Sequence, residues 1–410
     1  MNATTATGRA WTPWRTVFAF GLVSLAADMV YEGMRAMAGP LLGDLGASAL
    51  TVGLVTGAGE GIALILRLLT GAWADQAQNH WRLTVLGYAM TAVCVPLLAV
   101  TPFLGAAGLV TAAVLILLER TGKAVRSPAK SALLARMATQ TGRGKGFGVH
   151  KAMDQVGAFS GPLLLSGMAA LTGVLWPGFA VLAVPGALSL VLLAQLRRHA
   201  PIVEEEDDGA SPRRGVLAGL RTAVGTELPG AFHVFSLATA FMTAGLMTFG
   251  VISFRLVDHG IVTAAVVPLV YAGAMAVEAV AALVTGQLFD RWGGGVLLLV
   301  PVLVAGVPLL VFADTAWVVL VGVAVWGVAT AIQDSTVKAY VADLVPTSRR
   351  ATAYGVFAAV QGLGALGGGA LAGALVQHHL PVLAAIVAGL QVVAAVLVGW
   401  TLLRARRTEQ

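Results

Sequence analysis

The sequence predicts an all-α membrane protein: twelve transmembrane helices in two six-helix bundles related by pseudo-twofold symmetry. Three observations predict it. The 410 residues are 58% hydrophobic and only 11% charged, with a mean hydropathy of +0.84, whereas soluble domains carry about 45–50% apolar and about 25% charged residues. A water-facing surface needs more charge than that, so most of the outside must meet lipid. The apolar residues also gather into stretches of about 20, the length that crosses a hydrocarbon layer roughly 30 Å thick. Finally, one half of the chain repeats features of the other. The 50 glycines sit within apolar stretches and show no G-X-Y period; close helix contact in lipid uses small residues in this way, which favours a bundle over a barrel.

In chain order the predicted spans are 16–41, 49–71, 82–101, 105–125, 146–170 and 174–196, then 230–254, 262–286, 295–313, 316–338, 351–376 and 381–403. The first follows a short basic segment and lacks a short apolar region closed by a cleavage site, so it reads as a retained helix. Span five carries Pro162, which bends it. Between spans six and seven lies the hydrophilic stretch 197–228, with Glu204 to Asp208 and Arg213-Arg214, read as a solvated linker. The domains are therefore 1–196, the linker 197–228, and 229–410.

Basic residues outside the spans fall on the side of the termini, from Arg9 and Arg15 through Arg82, Arg197, Arg198 and Arg291 to Arg404, and Arg255 alone lies on the other side. Positive loops resist translocation, so both termini are expected in the cytoplasm and the chain in the cytoplasmic membrane. Lys130, Arg136, Arg143 and Lys145 read as part of the same basic face, against anionic lipid.

The repeat is specific. Gly71-Ala-Trp-Ala-Asp75 recurs as Gly286-Gln-Leu-Phe-Asp290, 215 residues on, while Gly148, Gly157, Ala158 and Gly161 match Gly355, Gly364, Ala365 and Gly368, 207 residues on. Repeats running in the same direction predict two bundles related by an axis along the membrane normal, with a site at their interface.

Thirteen charged residues fall within or at the ends of the spans: Asp28, Glu32, Glu60, Glu119, Asp154, Glu278 and Asp334, with Arg35, Arg67, Arg120, Lys123, Lys151 and Lys338. Each costs about 2.5–3.5 kcal/mol or more if it faces lipid at mid-bilayer, so they are expected to line a wet cavity or to pair. Asp28, Tyr31, Glu32 and Arg35 share an arc of about 100° on span one. For Asp28, Glu32, Glu119 and Arg120 two readings stand: a carboxylate site that exchanges protons for solute, or an acid and arginine network that locks helices together. Asp154, mid-span, favours the proton role, and Glu278 has no basic neighbour on its own helix. Arg35, Tyr31, Lys151, Asp334 and Lys338 are candidate solute contacts, with Phe241, Met242 and Trp326 as apolar wall.

Other chemistries find little support. Cys94 is the only cysteine, which removes disulfides and thiolate metal motifs. His259, His378 and His379 lack an acidic or sulfur ligand at helical spacing. Gly142-Arg-Gly-Lys-Gly146 lacks the order of a phosphate loop, and no serine sits in a nucleophile elbow. No cofactor, metal, nucleic-acid partner or enzymatic activity is expected.

The chain resembles the major facilitator superfamily over nearly its whole length. Gly71 and Asp75, followed by an eroded basic part, and the closer copy Gly286, Asp290, Arg291, Gly293 are similar to that family's loop signature after the second span. The resemblance implies a conformational latch there. Glu119-Arg120-Thr121-Gly122-Lys123 resembles its fourth-helix pattern, and Gly157, Gly161 and Pro162 are similar to the packing signature of proton-driven antiporters. The expectation is a secondary active transporter moving a small organic solute by alternating access, with proton-coupled efflux as the first reading. Uptake or exchange of an organic anion held by the in-span basic residues is the second, and a lipid-handling membrane protein the third.

Overall fold

The structure, a computed structural model, describes residues 11–77, 80–139, 141–199 and 228–408, without the side chains of 71–77, 143, 348, 351 and 405–408. The secondary structure of these residues is helical throughout. Most of the predicted linker 197–228 lies outside them. Ten segments are long and apolar enough to cross a membrane. One of these, 267–311, holds two helices, Val267–Trp292 and Leu299–Val311, joined by a tight 3-10 turn. The more polar helix Arg143–Thr172 adds a further span of 30 residues, about 45 Å at 1.5 Å per residue. The total among the described residues is twelve.

Span one is Pro13–Asp44, started by Thr12, whose hydroxyl accepts from the backbone N–H of Arg15, satisfying an amide that the helix leaves unpaired. Spans two and three are Ala49–Ala77 and His80–Leu97. Span four, Gly108–Met137, runs twelve residues past its expected end at 125, because Pro128 sits inside the helix and does not end it. Lys130 is therefore a helical residue within the bundle, a correction to its reading as part of a basic face against lipid, and Arg126 lies on the same extension. Span six is broken at Leu182 into Trp176–Val181 and Ala183–His199.

The second half repeats this plan. Span seven, expected as one helix, is broken into Gly230–Leu246 and Phe249–Asp258. Met247 at the break has φ 58, a conformation costly for a residue with a side chain. The indole of Trp326 donates to the freed Leu246 carbonyl at 3.0 Å, as backbone groups released inside a membrane require. Span ten is likewise interrupted at Ser335, between Ala316–Asp334 and Thr336–Asp343, and spans eleven and twelve are Arg350–Leu375 and Leu380–Thr408.

Glycine sets how closely the helices approach. A Cβ on Gly157 or Gly161 of span five would run into the backbone of Leu25 or Met29 on span one, and one on Gly364 or Gly368 of span eleven would meet Ala240 or Ala244 on span seven. These are equivalent contacts in the two halves, offset by 207 residues on one helix and 215 on the other, as in the sequence repeat. The outer surface is apolar: Leu171 is 84% exposed, Leu283 73% and Val302 70%, a face that only lipid covers well.

The two bundles meet mainly at the side away from the termini. There Gly39 abuts Gly250 and Ser253, and Gly373 abuts Ala49. Thr56 and Thr248 share a hydrogen bond of 2.7 Å, and Ser166 donates to the Ala265 carbonyl at 2.6 Å. Spans two and eleven stay in contact further along, through Gly53 on Gly369, Gly61 on Gly362 and Leu68 on Gly355.

Candidate functional site

A cavity of about 190 Å³ lies among spans one, four and five, from their middles toward the side of the termini. Its wall is almost wholly polar: Asp28, Glu32, Lys123, Arg126, Ser127, Lys130, Lys151, Asp154 and Gln155, with Ala158. The extension of span four past residue 125 supplies three of these, Arg126, Ser127 and Lys130, which is why the reading of Lys130 as a lipid contact left it outside the site.

Three ion-pair groups surround it. In the first, Arg126 reaches Asp28 at 3.9 Å, hydrogen-bonds Thr91 and lies over the Tyr88 ring at 4.8 Å. Thr91 in turn donates to Glu119 at 3.0 Å. In the second, Lys130 and His150 each stand 3.7 Å from Asp154, while Lys130 and His150 also share Ser24 at 3.3 Å. One Asp154 carboxylate oxygen is buried without a hydrogen bond.

The third group spans both bundles. Tyr271 of span eight donates to Glu32 at 2.5 Å and accepts from Arg35 at 3.2 Å. Arg35 also contacts Glu32 at 3.7 Å and Glu60 at 3.1 Å. Glu60 is shared with Arg120 at 3.7 Å, and Arg120 continues to Glu119 at 3.6 Å and to the Tyr31 hydroxyl. A charge-assisted chain thus runs from the first bundle to the second at mid-membrane, where it is worth more than in water.

The structure brings Asp28, Glu32, Lys151 and Asp154 to the cavity and Tyr31, Arg35 and Arg120 to the network beside it. Glu119 is fully buried in the first bundle, outside the cavity wall. Asp334 and Lys338 pair with each other at 2.8 Å. Glu278 forms no ion pair among the described residues, although Asp334, Arg35, Glu32 and Lys151 lie within its electrostatic reach. Met242 and Trp326 are buried in the core, a correction to their reading as cavity surface. Phe241 packs against that core. Glu60 joins the site from the in-span charges, a signal the sequence did carry.

The latch positions divide. The side chains of Gly71 and Asp75 lie outside the described residues. Asp290 and Arg291, beyond Gly286, are exposed at the terminal-side end of span eight and form no ion pair among the described residues. Gly157 and Gly161 pack span five on span one, with Pro162 inside the same helix.

Two repeated helical bundles, one enclosing a charged cavity and both joined by an ion-pair network, have the arrangement of a secondary transporter. The family model of the Major Facilitator Superfamily matches residues 18–307 and 235–410, and the chain belongs to that family. It is 46% identical over 393 residues to an uncharacterised protein of Mycobacterium tuberculosis, covering 96% of this chain and 94% of that one. It is 28% identical over 377 residues to an uncharacterised MFS-type transporter of Methanocaldococcus jannaschii, covering 88% of each. Among solved structures, the nucleoside transporter NupG superposes with a TM-score of 0.72 at 15% identity, covering 94% of this chain and 99% of that one. A D-xylose-proton symporter gives 0.66 at 15% identity, covering 93% and 97%. At such identities the likeness is one of fold.

Proposed function

We propose that the protein exchanges protons for a small organic solute across the cytoplasmic membrane, with the termini and the cavity on the cytoplasmic side and export as the direction. The observation that carries the proposal is the position of Glu32. Its carboxylate both borders the cavity and accepts the hydrogen bond from Tyr271 of the opposite bundle. A proton on Glu32 removes the charge it shares with Arg35 and turns a charge-assisted bond into a neutral one, so proton binding and bundle contact act on one group. Asp28 and Asp154, each beside a cation at the same cavity, are the further proton sites. Export rests on the similarity of Gly157, Gly161 and Pro162 to the antiporter signature. The two glycines also serve as packing surfaces that the second bundle reproduces with Gly364 and Gly368.

The experiment is a proteoliposome assay with a trapped pH-sensitive dye and a panel of cationic, neutral and anionic compounds. Wild type is expected to dissipate an imposed pH gradient with at least one compound, and Glu32→Gln and Asp154→Asn to abolish that response. Solute movement without any proton movement, or an unchanged response in both variants, overturns proton coupling. Proton and solute moving in the same direction overturns export.

A further inference from the structure

We infer that the cavity is an oxyanion site, in which the ammonium groups of Lys123 and Lys151 hold a carboxylate or phosphate carried by a small solute. The inference rests on the reading of this cavity as the solute site. Of the seven charges in its wall, five are already engaged: Asp28 with Arg126, Asp154 with Lys130, and Glu32 with Tyr271 and Arg35. What remains is positive. Lys123 has no ion pair among the described residues and rests its ammonium on the Tyr31 ring, 3.3 Å from the centroid. Lys151 likewise has no ion pair among the described residues and is exposed at the cavity.

A lysine inside a membrane protein that lacks a carboxylate partner needs another counter-charge. The π face of Tyr31 supplies only part of one and leaves the ammonium donors to point elsewhere. Asp28 and Asp154 each already face a cation of their own, and Glu32, whose charge also reaches Lys123, is held by Tyr271 and by the Arg35 it shares with Glu60, so none is released cheaply. Size narrows the solute. The cavity's 190 Å³ is below the roughly 300–1,000 Å³ of sites for drug-sized ligands. Glu278, on the facing bundle and within electrostatic reach of Lys151, opposes the anion and tunes its affinity.

Thermal unfolding of the purified protein in neutral detergent at constant ionic strength tests this with matched probes: lactate against lactamide, benzoate against benzamide, glycerol 3-phosphate against glycerol. At least one anion is expected to raise Tm by several degrees where its neutral partner does not. Lys123→Gln and Lys151→Gln should each weaken that anion's apparent affinity at least tenfold, and Glu278→Gln should tighten it. Phosphatidylglycerol added in place of the soluble probes separates a lipid headgroup from a free solute; stabilisation by it alone, lost in Lys123→Gln, assigns the oxyanion to lipid. Equal stabilisation by anion and neutral partner, no stabilisation by any anion, or retention of the effect in both lysine variants overturns the inference. The measurement uses no gradient. A protein that binds anions but moves no protons overturns the coupling alone, and one that exchanges protons for a cation while binding no anion overturns the oxyanion site alone.

Discussion

The Tyr271 hydroxyl donates to the Glu32 carboxylate at 2.5 Å, joining span eight of one bundle to span one of the other, with Arg35 bound to both. Bonds of this charge-assisted kind are worth about 1.5–3 kcal/mol each. Opening the protein at the side where its bundles now meet requires the bundles to rock about this point, so the bridge favours the present state. Tyr271→Phe is expected to shift the population toward the opposite state by about tenfold. Spin labels at Ser48→Cys and His378→Cys, with Cys94→Ser, read the separation of spans two and eleven at that side. An unchanged distance distribution sinks this role for the bridge.

The glycine contacts separate stability from conformation. Gly53 and Gly369 touch between the bundles, whereas Gly157 meets Leu25 and Gly364 meets Ala240, each within one bundle. Extra bulk in packed interiors costs about 1–3 kcal/mol. Gly369→Ala is expected to favour the state in which spans two and eleven part, with Tm changed little. Gly157→Ala and Gly364→Ala are expected to lower Tm in either state. The spin-label pair and a melting curve distinguish the two outcomes, and equal effects of all three substitutions contradict the division.

Glu119 is fully buried between Thr91 and Arg120. Removing one partner of a buried ion pair costs about 3–5 kcal/mol. Glu119→Ala is therefore expected to reduce folded yield and Tm sharply, and Glu119→Gln, which keeps the hydrogen bond from Thr91, to recover most of both. If Glu119→Gln folds like wild type yet moves no solute, the residue couples transport and does not merely hold spans three and four together.

Arg255 is the single lysine or arginine at the side away from the termini among the described residues, and it is 7% exposed. It donates to the Phe312 and Val376 carbonyls at 3.3 and 3.1 Å, tying the ends of spans nine and eleven to span seven. Arg255→Met keeps its bulk and leaves those carbonyls unpaired, with an expected loss of about 1.5–3 kcal/mol. A wild-type Tm in detergent for this variant refutes the anchoring role.

Much of this was legible in the chain itself. Composition dictated a lipid-facing exterior, because 11% charge cannot cover a water-facing surface. Apolar length gave the spans, and the paired glycine offsets announced two bundles before any contact was known. The in-span charges likewise announced a polar interior, since lipid tolerates them so badly. Tertiary structure decided which charge meets which. Span four continues through Pro128 because neighbouring helices absorb the break in its ladder, and this brings Lys130 to Asp154 and Arg126 to Asp28. Span seven breaks at Met247 because Trp326, 79 positions further on, accepts the freed carbonyl's demand for a donor. Tyr271, with nothing in its local sequence to mark it, becomes the charge-assisted link between the halves. Periodicity within one helix fixes which residues share a face, but the partner of that face lies on another helix, and only packing brings the two together.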